Sequence, residues 1–112
     1  FKENKAAIIS LNAEELEKFN FQKGDTEGVV NYALMIEGIV CAAFIAEKEG
    51  VVKLSLRSKG DFKVNEIAKK YFNGGGHTNA AGGISDVSVE ETIIKLESIF
   101  NKYKLELINT KF

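Results

Sequence analysis

Hydrophobic residues change their spacing along the chain in a way that separates strands from helices. Ala6-Ala7-Ile8-Ile9-Ser10-Leu11 is a short, largely apolar, β-compatible run. Asn12-Ala13-Glu14-Glu15 follows with the signature of a capping box: Asn12 accepts from the first turn and Glu15 reaches back. The helix it opens is expected to turn Leu16 and Phe19 inward. Val29, Val30, Ala33, Leu34 and Ile36 recur at helical spacing after Asp25-Thr26-Glu27-Gly28. There Asp25 or Thr26 can cap and Glu27 favours a helix N-terminus, and the helix is expected to end near Glu37-Gly38. Residues 39–46 are nearly all apolar, as in a strand buried on both faces.

After a turn at Glu47-Lys48-Glu49-Gly50 the pattern becomes strict alternation. Val52, Leu54 and Leu56 point one way, and Val51, Lys53, Ser55 and Arg57 point the other, because strand side chains have period two. The two runs predict a hairpin whose second strand carries a polar row ending at Arg57 and Ser58. Val64, Ile67, Ala68, Tyr71 and Phe72 return to helical spacing, with Asn65 as the expected cap, and Asn73-Gly74-Gly75-Gly76-His77 stops that helix. Ala80-Ala81-Gly82-Gly83-Ile84 reads as a strand. Ser88-Val89-Glu90-Glu91 is a second capping box, and Val89, Ile93, Leu96, Phe100 and Tyr103 form the core stripe of the last long helix. Leu105 to Phe112 fits either a final strand or a frayed tail. Helices alternating with strands predict a mixed α/β fold, one central mixed β-sheet with flanking helices, in a single domain over residues 1–112.

Composition narrows the function classes. The net charge of −1 provides no global basic field for nucleic acid, so any anion must be held by a local site. Cys41 is the sole cysteine, which excludes an internal disulfide and a thiolate metal cluster, and its apolar surroundings predict a buried small hydrophobe. No apolar stretch reaches the roughly 18 residues of a membrane helix. The chain opens at Phe1 without a signal peptide, which reads as a fragment boundary in a cytoplasmic protein.

Gly74-Gly75-Gly76-His77 is the strongest local chemical signal. A helix stop requires one glycine, whereas three in a row leave backbone N–H groups open to an anion. His77 is the single histidine, and an imidazole beside those groups can donate to a phosphate oxygen. Arg57 is the single arginine among fifteen basic residues, a planar fork at a strand end suited to bidentate contact with phosphate or carboxylate. The acids show no spacing typical of a hard-metal site, and no nucleophile–histidine–acid set is present.

Ser55-Leu56-Arg57-Ser58, Val64-Asn65-Glu66-Ile67-Ala68 and Gly74-Gly75-Gly76-His77-Thr78-Asn79-Ala80-Ala81-Gly82 together resemble the C-terminal DHH-associated domain of DHH phosphoesterases. The similarity runs from about residue 25 to residue 85. It leans towards bacterial oligoribonucleases that also act as pAp phosphatases, and Asp25 to Asn31 looks like those enzymes too. The resemblance implies a two-domain enzyme whose N-terminal DHH domain, holding two manganese ions, performs hydrolysis and lies outside this sequence. It implies that this chain is the partner domain that binds a short RNA or phosphorylated nucleotide, with no catalytic residue, metal ligand or cofactor of its own. It assigns Arg57 and His77 as phosphate contacts, Gly75 and Gly76 as a backbone cradle, Ser58 and Asn79 as supporting polar groups, and Glu27 as a weaker candidate. Two other readings stand beside it. One is a non-catalytic RNA-binding appendage like the related domain of alanyl-tRNA synthetase, against which the pI near 5.9 argues. The other is a scaffold domain whose glycine loop only packs against its neighbour. Phe62, Tyr71 and Phe72 are the aromatic side chains near the motif, with Tyr71 and Phe72 expected in the helix core.

Overall fold

Apolar residues on both sides of one strand need a layer of helix on each side, and the chain is built that way. The computed structural model describes residues 5–18, 25–36 and 38–110. Its elements run β1 (Ala6–Leu11), α1 (Ala13–Lys18), α2 (Asp25–Leu34), β2 (Cys41–Lys48), β3 (Val51–Ser58), α3 (Val64–Tyr71), β4 (Gly75–His77), β5 (Ala80–Ser85), α4 (Val89–Lys102) and α5 (Lys104–Asn109). The five strands form one sheet in the order β1-β2-β3-β5-β4, with β1 parallel to β2 and the remaining pairs antiparallel. The mixed α/β architecture expected from the sequence is therefore present.

β2 explains the unbroken apolar run. Cys41, Ala43 and Ile45 join one core with Val52, Leu54 and Leu56 of β3, Val64, Ile67 and Ala68 of α3, and Leu96, Ile99 and Phe100 of α4. Ala42 and Phe44 face the opposite way and meet Val30 and Ala33 of α2. Each fully buried Leu, Ile or Phe in these layers contributes about 1.5–3 kcal/mol. Cys41 is fully buried, and burial pushes its thiol far above the ordinary value, so it stays protonated and inert.

The local signals that held are those with a defined hydrogen-bond geometry. The Asn12 amide N–H donates to Glu15 Oε1 at 2.9 Å, and the Glu15 N–H to Asn12 Oδ1 at 2.8 Å, closing the first capping box. The Glu91 N–H donates to Ser88 Oγ at 3.1 Å at the start of α4. Glu49 and Gly50 take φ of 54° and 78°, the two left-handed positions of the tight turn that matches strand twist in a β2–β3 hairpin.

Four expectations are corrected. Asn65 does not cap α3: the N-cap is Lys63 without a side-chain bond, and Asn65 Oδ1 is buried with no partner. The glycine run is not only a helix stop, because Gly75–His77 pairs with β5 as the edge strand β4. The C-terminal stretch is neither strand nor frayed tail: α5 forms there because Leu107 is fully buried against the main core. α2 closes at Leu34, short of Gly38, which turns with φ 85°. The Leu16 side chain, Phe19 and Glu37 fall outside the described residues. No helix among the described residues is long and apolar enough to cross a membrane.

Candidate functional site

Strand register decides which side chains share a face. Arg57 on β3 pairs with Ala80 on β5, and Ala80 pairs with His77 on β4. Directly paired residues of antiparallel strands point to the same side. Arg57 and His77 therefore stand on one face, two strand spacings or about 10 Å apart at Cα, with only the Ala80 methyl between them. The next row on this face is Ser55, Gly82 and Gly75, and the row after it is Lys53 and Ile84. α2 covers the same side of the sheet at Ala42 and Phe44 of β2. Over β5 and β4 the face is open: Gly75 and His77 are exposed, and Ile84 is 51% exposed.

Arg57 is held down rather than left to wave. Its Nη1 donates to the Leu56 carbonyl at 2.8 Å and to the Ala81 carbonyl at 3.3 Å, which draws the guanidinium across towards β5. Ser58 is one residue further on and points to the opposite, buried side, as the alternation requires. Its hydroxyl donates to the Phe62 carbonyl at 2.6 Å and accepts from Asn79 Nδ2 at 3.0 Å. Asn79 Nδ2 also reaches the Gly60 carbonyl at 3.0 Å. Backbone bonds from Ser58 N–H to Asn79 O at 3.0 Å and from Val64 N–H to Thr78 O at 2.9 Å complete a clamp. That clamp fixes the β4–β5 turn, and with it His77, to the end of β3 that carries Arg57. Ser58→Ala is expected to lose about 1–2 kcal/mol, because Asn79 and the Phe62 carbonyl lose a partner. A fall of about 4–16 °C in thermal midpoint would register that loss.

The three glycines have different reasons to be there. Asn73, with φ 49°, ends α3, so none of them is needed for that turn. A Cβ at Gly74 would run into the Gly82 carbonyl, and one at Gly76 would lie 2.6 Å from the Ala80 carbonyl and 2.7 Å from Ala81 Cα. Both are demanded by the close pairing of β4 with β5. A Cβ at Gly75 would meet nothing within 4 Å. It would simply rise from the open face in the row beside Arg57 and His77, so the fold does not explain this glycine. β4 is also the sheet edge, and an edge strand turns half its backbone donors and acceptors away from its partner.

The sequence-predicted residues thus divide. Arg57, Gly75 and His77 meet on one face; Ser58 and Asn79 form the clamp behind it; Gly76 permits the strand pairing. The Glu27 side chain lies outside the described residues. Ser55 and Gly82, which form the floor beside Arg57, were not singled out, although the β3 alternation put Ser55 on the Arg57 side. Phe62 and Phe72 are 3% and 1% exposed, so neither can stack on a base. A depression of about 200 Å³ lies elsewhere, lined by Asp61, Lys63, Glu66, Tyr103 and Glu106 among others, and three carboxylates against one ammonium disfavour an anion. Among the described residues no three His, Cys, Asp or Glu side chains converge to hold a metal ion. These residues do not fit a manganese pair.

A mixed sheet flanked by helices, with one arginine and one histidine in a shared row on its open face, defines an α/β domain with a candidate anion-binding surface. The chain belongs to the DHHA1 domain family, whose model matches residues 4–102. It is 36% identical over 80 residues to the bifunctional oligoribonuclease and PAP phosphatase NrnA of Bacillus subtilis, covering 71% of this chain and 25% of that protein. It is 37% identical over 71 residues to the cyclic-di-AMP phosphodiesterase GdpP of Geobacillus thermodenitrificans, covering 62% of this chain and 11% of that protein. An exopolyphosphatase-related protein from Bacteroides fragilis superposes with a TM-score of 0.89 at 43% identity, over 96% of this chain and 32% of that one. The chain spans about a quarter of the length of the Bacillus relative.

Proposed function

We propose that this chain is the substrate-binding domain of a cytoplasmic phosphoesterase that hydrolyses short oligoribonucleotides, 3′,5′-bisphosphonucleosides or both. The observation that carries this reading is the single row in which Arg57 and His77 flank Ala80 on an open sheet face. A phosphate in that gap receives a planar guanidinium from one side and an imidazole from the other, and Gly75 leaves room for the group attached to it. In this reading the chain binds and orients, and the bond is broken by a separate N-terminal DHH domain. Two manganese ions there would supply the activated water. The names of the two relatives support the same reaction class, since both describe phosphate-ester hydrolysis.

An RNA-binding appendage without catalytic partners wants a charged groove lined by stacking aromatics. The burial of Phe62 and Phe72 speaks against it, as does the net charge of −1.

The test is titration of the chain with pAp, followed by amide NMR shifts. Amides of residues 74–77 and of Arg57 are expected to move together, with affinity near millimolar, about −4 kcal/mol, because half of the cleft belongs to the other domain. The chain alone with manganese should release no phosphate from pAp. Shifts spread over the lysine surface and erased by moderate salt would reject the site in favour of nonspecific attraction.

A further inference from the structure

The open face continues beyond the phosphate gap. Two rows along β3 from Arg57, and on the same side, stands Lys53, directly paired with Ile84 of β5. Lys53 lies four residue steps along the strand from Arg57, about 14 Å. Between them the face carries only the Ser55 hydroxyl and two residues without side chains, Gly82 and Gly75, so nothing rises to interrupt it. On its other flank the strip is bounded by α2, seated on Ala42 and Phe44 of the neighbouring strand. Lys53 is exposed. Ile84 is half exposed and belongs to neither core.

A cationic end, a smooth floor carrying one hydroxyl, then a second cation beside an aliphatic side chain is a pattern with a direction. One phosphate cannot be shared by groups this far apart. A chain bearing phosphates at two places can meet both, with sugar over the floor and a base against Ile84. We infer that Lys53 and Ile84 form the distal end of the substrate strip. There Lys53 contacts a second phosphate and distinguishes a linked oligonucleotide from a mononucleotide. This rests on the reading of Arg57 and His77 as the first phosphate site.

The test uses the full-length protein with divalent metal chelated, so that nothing is turned over, and calorimetric titration with AMP and with 5′-phosphorylated diadenylate. Lys53→Gln is expected to weaken the dinucleotide by about 3- to 10-fold, the scale of one partly solvated charged hydrogen bond, and to leave AMP unchanged. Ile84→Ser should act in the same direction on the dinucleotide. Lys69→Gln, an exposed lysine on α3 across the sheet, controls for general charge and should change neither ligand. Unchanged dinucleotide affinity in Lys53→Gln overturns the distal site, and so does an equal loss for AMP and dinucleotide. Arg57→Ala separates the two claims: if it leaves AMP binding intact, the first phosphate site itself is wrong.

Discussion

On the proposed reading, Arg57→Ala in the full-length protein is expected to lower kcat/KM on pAp or a dinucleotide by about 10- to 150-fold. The figure corresponds to one charge-assisted hydrogen-bonded contact of about 1.5–3 kcal/mol. Arg57→Lys should not restore it. The guanidinium donates to the Leu56 and Ala81 carbonyls through Nη1 at 2.8 and 3.3 Å, so the backbone sets the orientation of the planar fork. An ammonium has a single nitrogen and cannot be held by strand carbonyls while presenting a second, coplanar donor to a phosphate. His77→Ala should cost a comparable factor with little change in thermal midpoint, because the imidazole is exposed and outside both cores. Steady-state kinetics of the three variants, with melts alongside, give the answer. Wild-type kinetics in Arg57→Ala would remove it from the site. A collapsed melt in His77→Ala would return the loop to a purely structural role.

The second large effect separates adjacent glycines. Gly76→Ala is expected to destabilise the domain by about 2–4 kcal/mol: the added methyl meets the Ala80 carbonyl and Ala81 backbone, and φ of 146° is a conformation L side chains rarely adopt. That is a fall of about 8–30 °C in thermal midpoint. Gly75→Ala should keep the fold within about 1 kcal/mol, since its methyl meets nothing within 4 Å, yet weaken pAp binding because it stands on the open face. Melts and ligand titrations of the two variants should therefore be mirror images. Equal destabilisation by both would mean that the glycine run serves the strand pairing alone. A Gly75→Ala protein that melts and binds like wild type would remove Gly75 from the cradle.

Much of this was legible from local pattern. The β3 alternation put Arg57 opposite Leu54 and Leu56, and the sheet obeys it. The same alternation put Ser58 on the buried side, but a reading by neighbourhood grouped it with Arg57. Two capping boxes were readable because each is a local exchange of hydrogen bonds. What was not legible depended on distant partners. Asn65 looks like a cap in isolation, yet the N-cap is Lys63 and α3 starts one residue before Asn65, at Val64, whose N–H donates to Thr78 O. Gly75–His77 has no strand propensity, and becomes a strand only because β5 folds back beside it. α5 forms because Leu107 finds the core, which no window of eight residues can foresee. The resemblance assigned Arg57 and His77 as phosphate contacts, but the row they share, and Lys53 on the same face, required the register.

β4 carries one last consequence, for self-association. A ligand cradle at a sheet edge exposes the same backbone groups that would template a foreign strand, and long flat edges of that kind drive aggregation. Here the edge is three residues long, and Gly76 at its middle has a φ of 146°. A neighbouring chain finds too few aligned donors to zip against, while a small anion needs only one or two. On the proposed reading, the shortness of β4 would keep an edge uncovered for a ligand while offering a second copy little to pair with.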